Sequence, residues 1–454
     1  MSRLIFDITQ VIGHLKRNAN LTGIQRVELN VIATATQILG ESKVAALIQL
    51  EKRPYHYLIS TAPFAQAADD PLKLNSLVQF CAAKQQGLFP DRIVLKQHLD
   101  QFKNNKIKRS AKKLSIYIKC FLDRASLRNQ GILISPPIEE VFLTKDQALA
   151  PDDIYICLGT SWMDHKKSGV MAKHHAAGGK TVQMIHDLIP AVKPHLHMAW
   201  VAKPFQNWLI DTAHHTDFFI CVSKNTQRDL NTFLGKIGIT PASGVAPLAH
   251  EFAGYQRGDH PSLTSSSHPE LKLLGERAFI ACVGTIEVRK NGTNLVRAWR
   301  EICQTNPQAK SMPLVFVGKR SWGLNEFDQA VDICKKEGID IRIIEGASDV
   351  DIAWIYSHCY FSVYPSLYEG WGLPIGESLW FNTPCLSSNT SSMPEVGGVL
   401  VQYCDPESVG SIVIGLQALL DPVRNSAAKQ IVSSAPLRRW HDHVEDVLTL
   451  IPRR

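Results

Sequence analysis

Short apolar runs alternate along the chain with segments whose apolar residues recur every three or four positions. Continuous apolar runs are typical of parallel strands buried on both faces, and the longer period is typical of amphipathic helices. In the first half the predicted strands are RLIFDI, KVAALIQL, IYICLG, TVQMIHD and DFFICVS. Between the first two, IQRVELNVIATATQIL predicts a helix that ends at Gly40. This alternation predicts an α/β protein.

The polar segment GYQRGDHPSLTSSSHPE interrupts the pattern near residue 262 and is typical of a linker. After it the alternation restarts with the predicted strands FIACVG, PLVFVG, IRIIEG, YFSVYP and TPCLSSN. We therefore expect two doubly wound, Rossmann-like domains, at 1–262 and 263–435. Ligands of such sheets bind beyond the carboxyl ends of the strands, so a cleft between the domains is the expected active site.

Composition narrows the class of protein. The chain has 454 residues, of which 45% are apolar and 20% charged, which suits two globular domains. Its ten cysteines form no C-x-x-C pair and no secretion signal is apparent, which predicts buried thiols in a reducing cytoplasm. No apolar run reaches about 18 residues, so we expect no membrane-spanning helix.

The net charge of +7 is concentrated in one segment, residues 103–124, which carries eight basic residues and one acid. It lies in a basic insertion at about 80–125 of the first domain. Such a segment indicates one anionic surface as partner rather than general nucleic-acid binding. Its apolar residues have helical spacing, so it could lie on an anionic membrane, form a solvated helix packed by its apolar stripe, or be a mobile insertion.

The stretch YPSLYEGWGLPIGESLW places glycines, a proline and two glutamates just after a predicted strand. Pro374 suits the first turn of a helix, whose free N–H groups favour an anion that the glycines let approach. We place Glu377 in that first turn, where it could bind a ribose diol or only complement the helix dipole. Glu369 would face the other end of the ligand, so the pattern suits a phosphorylated sugar.

Two further strand ends carry adjacent basic residues. Arg289 and Lys290 follow FIACVG, and Lys319 and Arg320 follow PLVFVG. Such pairs could capture a diphosphate through charge-assisted hydrogen bonds, or could be solvated loop residues.

The blocks VGTIEVRKN, LVFVGKR, SDVDIAWIYSHCYFSVYPSLYEGWGLPIGES and NTPCLSSNTSSMPEVGG resemble the donor-binding domain of retaining glycosyltransferases of family 4, which have the GT-B fold. The resemblance covers residues 278–410, and VSKNTQRDL and APLAHEF extend it more weakly to about residue 217. RRWHDHVEDVLTLI is similar to the last helix of that family, so residues 436–454 are expected to cross back to the first domain.

The resemblance implies a role for each matching residue. Glu377 would hold the ribose of a nucleotide sugar, and Glu369 would contact the transferred sugar. Arg289 and Lys290 would neutralise the leaving diphosphate, with Lys319 as a further donor contact. The backbone amides that would lie against sugar and diphosphate belong to Gly370, Trp371, Gly372 and Leu373. The family often has Phe at the position of Trp371, and some members carry an arginine directly after Gly284, which is absent here.

In the first half, IHDLIP resembles a block in which the histidine lies near the transferred sugar. His186 is therefore a catalytic candidate, although a lone histidine at a strand end is more often structural. Asp187 is a candidate on the acceptor side, or it fixes a loop by turn hydrogen bonds. Gly23, in LTGIQRVEL, lies on the loop that the family brings close to the donor phosphates.

We expect no metal site. Asp349-Val350-Asp351 has the D-x-D form of metal-dependent transferases, but Ser348 followed by Asp351 is typical of a helix N-cap. The histidine pairs at 195/197, 214/215 and 441/443 lack the cysteine or carboxylate pattern of a defined site.

The expected activity is that of a retaining, metal-independent glycosyltransferase without a cofactor, acting in bacterial polysaccharide or lipopolysaccharide assembly on a glycan or lipid-linked acceptor. The motif variants resemble mannosyl- and rhamnosyltransferases and favour GDP-mannose as donor; a UDP- or dTDP-sugar remains open. The expected location is the cytoplasm, or the inner face of its membrane. The alternatives are a nucleotide-sugar epimerase or sugar phosphorylase of the same fold, and a non-catalytic scaffold.

Overall fold

The structure is a computed structural model. It describes residues 2–15, 22–49, 56–61, 64, 108–115, 118, 142–143, 149–159, 168–262, 268–275 and 277–452. The chain forms two compact units, residues 1–150 and 151–454. The predicted domain limits 1–262, 263–435 and 436–454 stay a prediction.

In the described part of the first unit, four strands lie in the order β4-β3-β2-β1. β1 and β2 are parallel, whereas β3 runs antiparallel to both β2 and β4. The predicted helix is α2, whose buried face includes Val27, Val31 and Ala35, and Gly40 follows it with a φ of 82°. The elements are β1 (Leu4–Asp7), α1 (Thr9–Leu15), α2 (Gly23–Leu39), β2 (Val44–Gln49), β3 (His56–Ser60) and β4 (Phe142–Leu143).

Among the residues described at the start of the second unit, four parallel strands have the order β5-β6-β7-β8. All but β8 match predicted apolar runs, and three of the four strands have almost wholly buried residues. The elements are β5 (Ile154–Cys157), α3 (Ser168–Ala176), β6 (Lys180–Ile185), α4 (Ile189–Val192), α5 (Ala199–Ala213), β7 (Phe218–Cys221), α6 (Lys224–Gly235) and β8 (Ser243–Val245).

The second sheet of this unit has six parallel strands in the order β11-β10-β9-β12-β13-β14. Its first five strands confirm the predicted runs. The strands are β9 (Ile280–Val283), β10 (Leu314–Val317), β11 (Ile341–Ile344), β12 (Phe361–Tyr364), β13 (Cys385–Ser388) and β14 (Gln402–Cys404). The helices are α7 (Pro269–Leu274), α8 (Gly292–Thr305), α9 (Pro307–Ser311), α10 (Asn325–Lys336), α11 (Asp349–His358), α12 (Leu373–Trp380), α13 (Met393–Gly397), α14 (Val409–Leu420) and α15 (Pro422–Ser434).

Apolar clusters cover both faces of this sheet, as a doubly wound fold requires. Trp299 and Phe316 are part of one cluster, and Phe279 and Trp354 are part of the other. The eight cysteines in the described residues are all buried free thiols, as predicted. Burial raises the pKa of several of them, including that of Cys282 to about 12.

The last helix, α16 (Trp440–Leu450), packs on residues that follow β8. The backbone N–H of Trp440 donates to Glu251 Oε2 at 2.8 Å, and His443 Nδ1 donates to the carbonyl of Pro247 at 3.1 Å. Burial lowers the pKa of His443 to about 3, so this side chain is neutral in the folded protein. The resemblance predicts that residues 436–454 cross back to the first domain. The observed contacts of α16 are with residues 247–251, and the crossing itself stays a prediction.

Within the described residues, no helix combines the length and the apolar character needed to cross a membrane. In the basic segment, residues 108–115 and 118 are helical. Leu114 and Ile118 are 62% and 50% exposed, so these two members of the apolar stripe are not packed. Five charged residues of the predicted segment lie outside the described residues: Lys103, Lys106, Lys119, Asp123 and Arg124.

Candidate functional site

The candidate site forms where β9 and β12 end, because these strands are neighbours in the second sheet. A single 3₁₀ turn, Val288–Lys290, follows β9 and leads into α8. The loop after β12 ends at α12 and carries the predicted glutamate and glycines. The loops are joined by a hydrogen bond from the N–H of Leu367 to the carbonyl of Arg289, at 2.9 Å.

Glu369 forms ion pairs with both predicted phosphate-binding residues. Its Oε1 lies 2.6 Å from Lys290 Nζ, and its Oε2 lies 2.5 Å from an Arg289 guanidinium nitrogen. The Glu369 side chain is 10% exposed and each cationic side chain 16%, so water screens the pairs only weakly. We call Glu369, Arg289 and Lys290 the ionic triad. Its burial excludes the alternative of a solvated basic pair.

The triad fixes the charge of its carboxylate. Burial acts to raise the pKa of Glu369, but the charges of Arg289 and Lys290 outweigh it and hold that pKa at about 2. Burial lowers the pKa of Lys290, and Glu369 partly offsets this effect. The pKa of Arg289 is raised, because Glu369 and Glu287 together outweigh its burial. We take both cations as protonated, since each lies within 2.6 Å of an ionised carboxylate.

Two other side chains position the cations. Glu287 Oε1 lies 2.6 Å from Arg289, in addition to the pair with Glu369. The ammonium of Lys290 donates to the hydroxyl of Tyr364 and lies 4.8 Å from the centre of its ring. Because these partners come from β9's own loop and from the end of β12, both cations are held independently of Glu369.

Serines on the loop after β13 fix the backbone around Glu369. The N–H of Glu369 donates to Ser391 Oγ at 2.9 Å. The hydroxyl of Ser392 donates to the carbonyls of Glu369 and Trp371, at 2.9 and 2.8 Å. The loop after β12 is therefore held at three backbone groups, which are the N–H and the carbonyl of Glu369 and the carbonyl of Trp371.

Gly370 lies against the end of β6. A Cβ at this position would meet the carbonyl oxygen of His186 at 1.8 Å and the Cβ of Asp187 at 2.7 Å, so only glycine fits. Thr226 Oγ1 is 3.2 Å from the carbonyl of Gly370 and 3.4 Å from that of His186. The structure thus brings the predicted His186, Gly370 and Glu369 regions together.

His186 is a neutral histidine with a defined tautomer. Its Nε2 lies 2.6 Å from the carbonyl of Leu158, which can only accept, so Nε2 carries the proton. Burial lowers the pKa of His186, although this hydrogen bond and the charge of Asp187 act in the opposite direction. Its Nδ1 is consequently a hydrogen-bond acceptor. Asp187 Oδ1 accepts from the N–H of Ile189 at 2.9 Å, so the loop-fixing interpretation of Asp187 is confirmed.

The glycine-rich turn leads into α12 as predicted. Gly372 precedes the helix with a φ of 121°, and Leu373 and Pro374 begin it. Our placement of Glu377 was wrong by one turn: it is the fifth residue of α12, and the first turn holds no acid. The helix begins before Pro374, which moves Glu377 away from the free N–H groups. The hydroxyl of Tyr356 donates to Glu377 Oε2 at 3.1 Å.

The remaining predicted donor residues have varied surroundings. Trp371 is buried, and its indole N–H has no hydrogen-bond partner in the described part of the chain. Lys319 lies on the loop after β10, where its carbonyl accepts from the N–H of Ile286 and its side chain is exposed. Gly23 is the first residue of α2, in the other compact unit. A small cavity opens beside Lys290, with Gly284, Thr285 and Tyr364 among its lining residues.

The D-x-D segment is the predicted helix cap. Asp351 Oδ2 accepts from the N–H of Ser348 at 2.8 Å, and the Ser348 hydroxyl accepts from the N–H of Asp351 at 3.3 Å. On α16, His441 lies within 4.8 Å of ligand atoms of Asp442 and Glu445, a carboxylate grouping that our sequence argument did not foresee. Asp442 already accepts from the N–H of Arg439 at the start of that helix.

Glu287, Tyr364 and the two serines were not predicted from the sequence. Glu287 stands two positions before Arg289, and this spacing could have indicated a pair within one short turn. Tyr364 and Ser391–Ser392 are distant in sequence from the residues they contact, so no local signal existed for them.

Comparisons with known proteins bear on this region. Residues 265–427 match the family model described as "Glycosyl transferases group 1". The chain is 36% identical over 151 residues to "O-antigen chain mannosyltransferase B" of Escherichia coli, covering 33% of this chain and 38% of that protein. It is 22% identical over 291 residues to "Serotype-specific mannosyltransferase WbdA" of E. coli, covering 62% of this chain and 34% of that protein. The chain thus spans little more than a third of these relatives, whose names support a glycosyltransferase.

Solved structures agree on the fold over the whole chain. The E. coli structure described as trehalose-6-phosphate bound with UDP-2-fluoro glucose has a TM-score of 0.57 and 12% identity, covering 99% of this chain and 98% of that one. The structure of Anabaena Alr3699/HepE in complex with UDP and glucose has a TM-score of 0.56 and 13% sequence identity, covering 99% of each chain. The predicted fold class, α/β of GT-B type with two Rossmann-like domains, is confirmed.

Proposed function

We propose that this protein is a nucleotide-sugar-dependent, retaining glycosyltransferase of family 4 that acts in polysaccharide assembly. The observation that carries the proposal is the ionic triad between the ends of β9 and β12. Two largely shielded cations and a buried carboxylate lie beside a glycine turn and the start of a helix. Cations and helix amides suit a diphosphate, and a carboxylate suits sugar hydroxyls.

In the proposed reaction, an acceptor hydroxyl attacks the anomeric carbon on the face that the diphosphate leaves. The bond between that carbon and the phosphate oxygen breaks, a bond to the acceptor oxygen forms, and the hydroxyl proton passes to the departing diphosphate. Arg289 and Lys290 would stabilise the negative charge that develops on the diphosphate. This retaining course needs no protein nucleophile.

The other predicted residues have supporting roles in this proposal. Glu377 holds the ribose, and the turn from Gly370 to Leu373 presents backbone amides, with Gly23 and Lys319 as further donor contacts. The lone pair of His186 Nδ1 could accept a hydrogen bond from a sugar hydroxyl, and Asp187 shapes the loop on the acceptor side. Metal plays no part in this proposal.

We propose a hexose donor, with GDP-mannose as the first choice. The names of the E. coli relatives, which are mannosyltransferases, support mannose. The structural neighbour with UDP and glucose supports a nucleotide sugar in general, so UDP- and dTDP-sugars belong in the same test. The acceptor would be a glycan or a lipid-linked oligosaccharide, as the O-antigen name of one relative suggests.

We also propose that the basic segment brings the enzyme to an anionic membrane surface. Its support is the exposure of Leu114 and Ile118 beside Lys112 and Lys113, which gives an apolar and cationic helix surface. Sedimentation with vesicles rich in anionic lipid tests this proposal, with neutral vesicles as the control. Leu114→Gln should weaken the binding.

The deciding experiment for the enzymatic proposal is thermal unfolding with GDP, UDP, dTDP or ADP, each alone and in EDTA. A ligand at about 100 times its dissociation constant should stabilise the fold by about 2.7 kcal/mol. We expect one nucleotide to do so in the wild type and not in Glu377→Ala. Glu326→Ala, which changes an exposed glutamate on α10, is the matched control.

The same nucleotide, supplied as its sugar, should then be consumed only with an acceptor. Release of a free epimerised sugar without acceptor would favour an epimerase, and a requirement for inorganic phosphate would favour a phosphorylase. Failure of all four nucleotides to stabilise the wild type would contradict the proposal and favour a non-catalytic scaffold.

A further inference from the structure

Both cations assigned to the diphosphate already hold an anion. The two oxygens of Glu369 reach one cation each, at 2.5 Å for Arg289 and 2.6 Å for Lys290. Carboxylate and phosphate oxygens are equivalent partners for guanidinium and ammonium groups, at similar distances. Each cation directs a donor to Glu369, so a diphosphate that approaches Arg289 and Lys290 competes with this carboxylate for them.

We propose that Glu369 is a built-in competitor of the diphosphate, and that a nucleotide sugar binds by an exchange of partners. The phosphate oxygens take Arg289 and Lys290, and the freed carboxylate accepts hydrogen bonds from hydroxyls of the donor sugar. This inference rests on the proposed function. It gives the triad a second role, which is to favour binding of the nucleotide sugar over binding of the nucleoside diphosphate that remains after transfer.

The discrimination follows from what each ligand offers to Glu369. A nucleotide sugar supplies hydroxyl donors that replace the lost ion pairs, so displacement of the carboxylate is compensated. A nucleoside diphosphate without sugar supplies no hydroxyl at that place, and the buried carboxylate would lose both ion pairs, which is costly. Glu369 therefore disfavours the product that remains after transfer and speeds its release.

The cations need no rearrangement during the exchange. Arg289 keeps its 2.6 Å pair with Glu287, and Lys290 keeps its contact with the Tyr364 hydroxyl and ring. The backbone on both sides of Glu369 is held by Ser391 and Ser392, so the exchange requires only a rotation of the glutamate side chain. The burial of the triad makes the competition strong, because little water screens it.

The test is calorimetric titration of wild type and Glu369→Gln with two probes: inorganic pyrophosphate, and whichever of GDP, UDP, dTDP or ADP stabilises the wild type. Glutamine keeps the size of the side chain and removes the charge. We expect both probes to bind Glu369→Gln at least about tenfold more tightly, since one competing buried charge is gone. For the matching nucleotide sugar, Glu369→Gln should gain less affinity over the wild type than it gains for the two probes, or should bind more weakly than the wild type.

Two variants serve as controls. Glu369→Asp keeps the charge and should keep the weak binding of pyrophosphate. Glu326→Gln removes an exposed carboxylate that pairs with Arg297 on the surface, and it should change neither affinity. Equal or weaker binding of pyrophosphate and nucleotide by Glu369→Gln would overturn the proposal.

Removal of a buried carboxylate could prevent folding, so a second comparison is built in. Lys290→Met and the double variant Lys290→Met/Glu369→Gln each keep Arg289, but only the first keeps the competitor. Tighter pyrophosphate binding by the double variant supports the proposal, and equal or weaker binding overturns it.

Failure of the inference and failure of the proposed function give different results. Nucleotide binding that needs Glu377 but does not tighten in Glu369→Gln would overturn the inference alone. Absence of nucleotide and pyrophosphate binding in both wild type and Glu369→Gln would overturn both.

Discussion

Two neighbouring loops of the second sheet carry the same sequence feature, an adjacent arginine and lysine after a buried strand, and yet they differ in the exposure and in the partners of these side chains. After β9, Arg289 and Lys290 are largely shielded from water, with side chains 16% exposed, and share the carboxylate of Glu369. After β10, Lys319 is exposed, and Arg320 pairs with Asp328 on the surface, where the two side chains are 32% and 46% exposed.

Strand order explains the difference. β9 neighbours β12, whose loop delivers Glu369, whereas β10 neighbours β11 on its other side. The loop after β11 contributes Glu345, which accepts from the backbone N–H of Arg320 at 2.8 Å. The neighbouring loops thus largely shield one basic pair around a shared carboxylate and leave the other pair exposed. Four predictions test this contrast.

The largest effect is expected on transfer. Lys290→Met removes a charge that would stabilise the leaving diphosphate, and we expect kcat with the matching nucleotide sugar to fall by about 10²–10³-fold. Lys319→Met, the isosteric change in the other loop, should alter kcat by less than about threefold and raise KM modestly, since an exposed charge is screened. A comparable loss of kcat in both variants would break the contrast.

The next effect is on stability without ligand. Glu369→Gln leaves two largely shielded cations partly unpaired, and we expect the free energy of unfolding to fall by roughly 3–5 kcal/mol. Asp328→Asn breaks the surface pair with Arg320 and should cost about 0–1 kcal/mol. Urea unfolding followed by circular dichroism gives both values, and similar losses would contradict the assignment of burial as the deciding factor.

Acid unfolding should depend on Glu369. Its pKa is about 2 in the folded protein against an ordinary value of 4.5, so its stabilising contribution is complete above pH 4.5 and is lost as the pH falls towards 2. The shift corresponds to a loss on the order of 3 kcal/mol over that window. The difference in unfolding free energy between wild type and Glu369→Gln should shrink accordingly, and a constant difference would contradict the shift.

The smallest effect concerns the exposed pair itself. Arg320→Met should change the unfolding free energy by about 0–1 kcal/mol and should leave nucleotide affinity unaltered. Thermal unfolding with and without the bound nucleotide measures both. A large loss of affinity would mean that the loop after β10 reaches the ligand.

Patterns that depend on local chemistry were predicted correctly from the sequence. The buried strands, the cap formed by Ser348 and Asp351, and the turn before α12 all follow from periodicity and from the conformations open to Ser, Gly and Pro. The position of Glu377 was wrong by one turn, because a proline marks the first turn of a helix without fixing its first residue.

Contacts between distant segments could not be predicted in this way. Ser392 lies 23 residues from Glu369, and His186 lies 184 residues before Gly370, yet each pair is in contact. The basic pairs after β9 and β10 were indistinguishable in sequence, since their difference arises from strand order. The sequence motifs therefore named candidate residues, and the fold determined which of those candidates lie together.

The rate at which each buried thiol of this sheet is alkylated can report how often its strand opens. An alkylating reagent attacks only an accessible thiolate, and burial raises the pKa of both Cys282 and Cys404 to about 12. Each cysteine is therefore labelled only during an opening of its own strand. Cys282 lies near the end of β9, the strand whose loop carries Arg289. Cys404 is the last residue of β14, which is an edge strand of the same sheet. The ratio of the labelling rates of Cys282 and Cys404 can be measured with and without nucleotide. Its change reports how far a nucleotide bound beside β9 also makes the edge strand β14 more rigid.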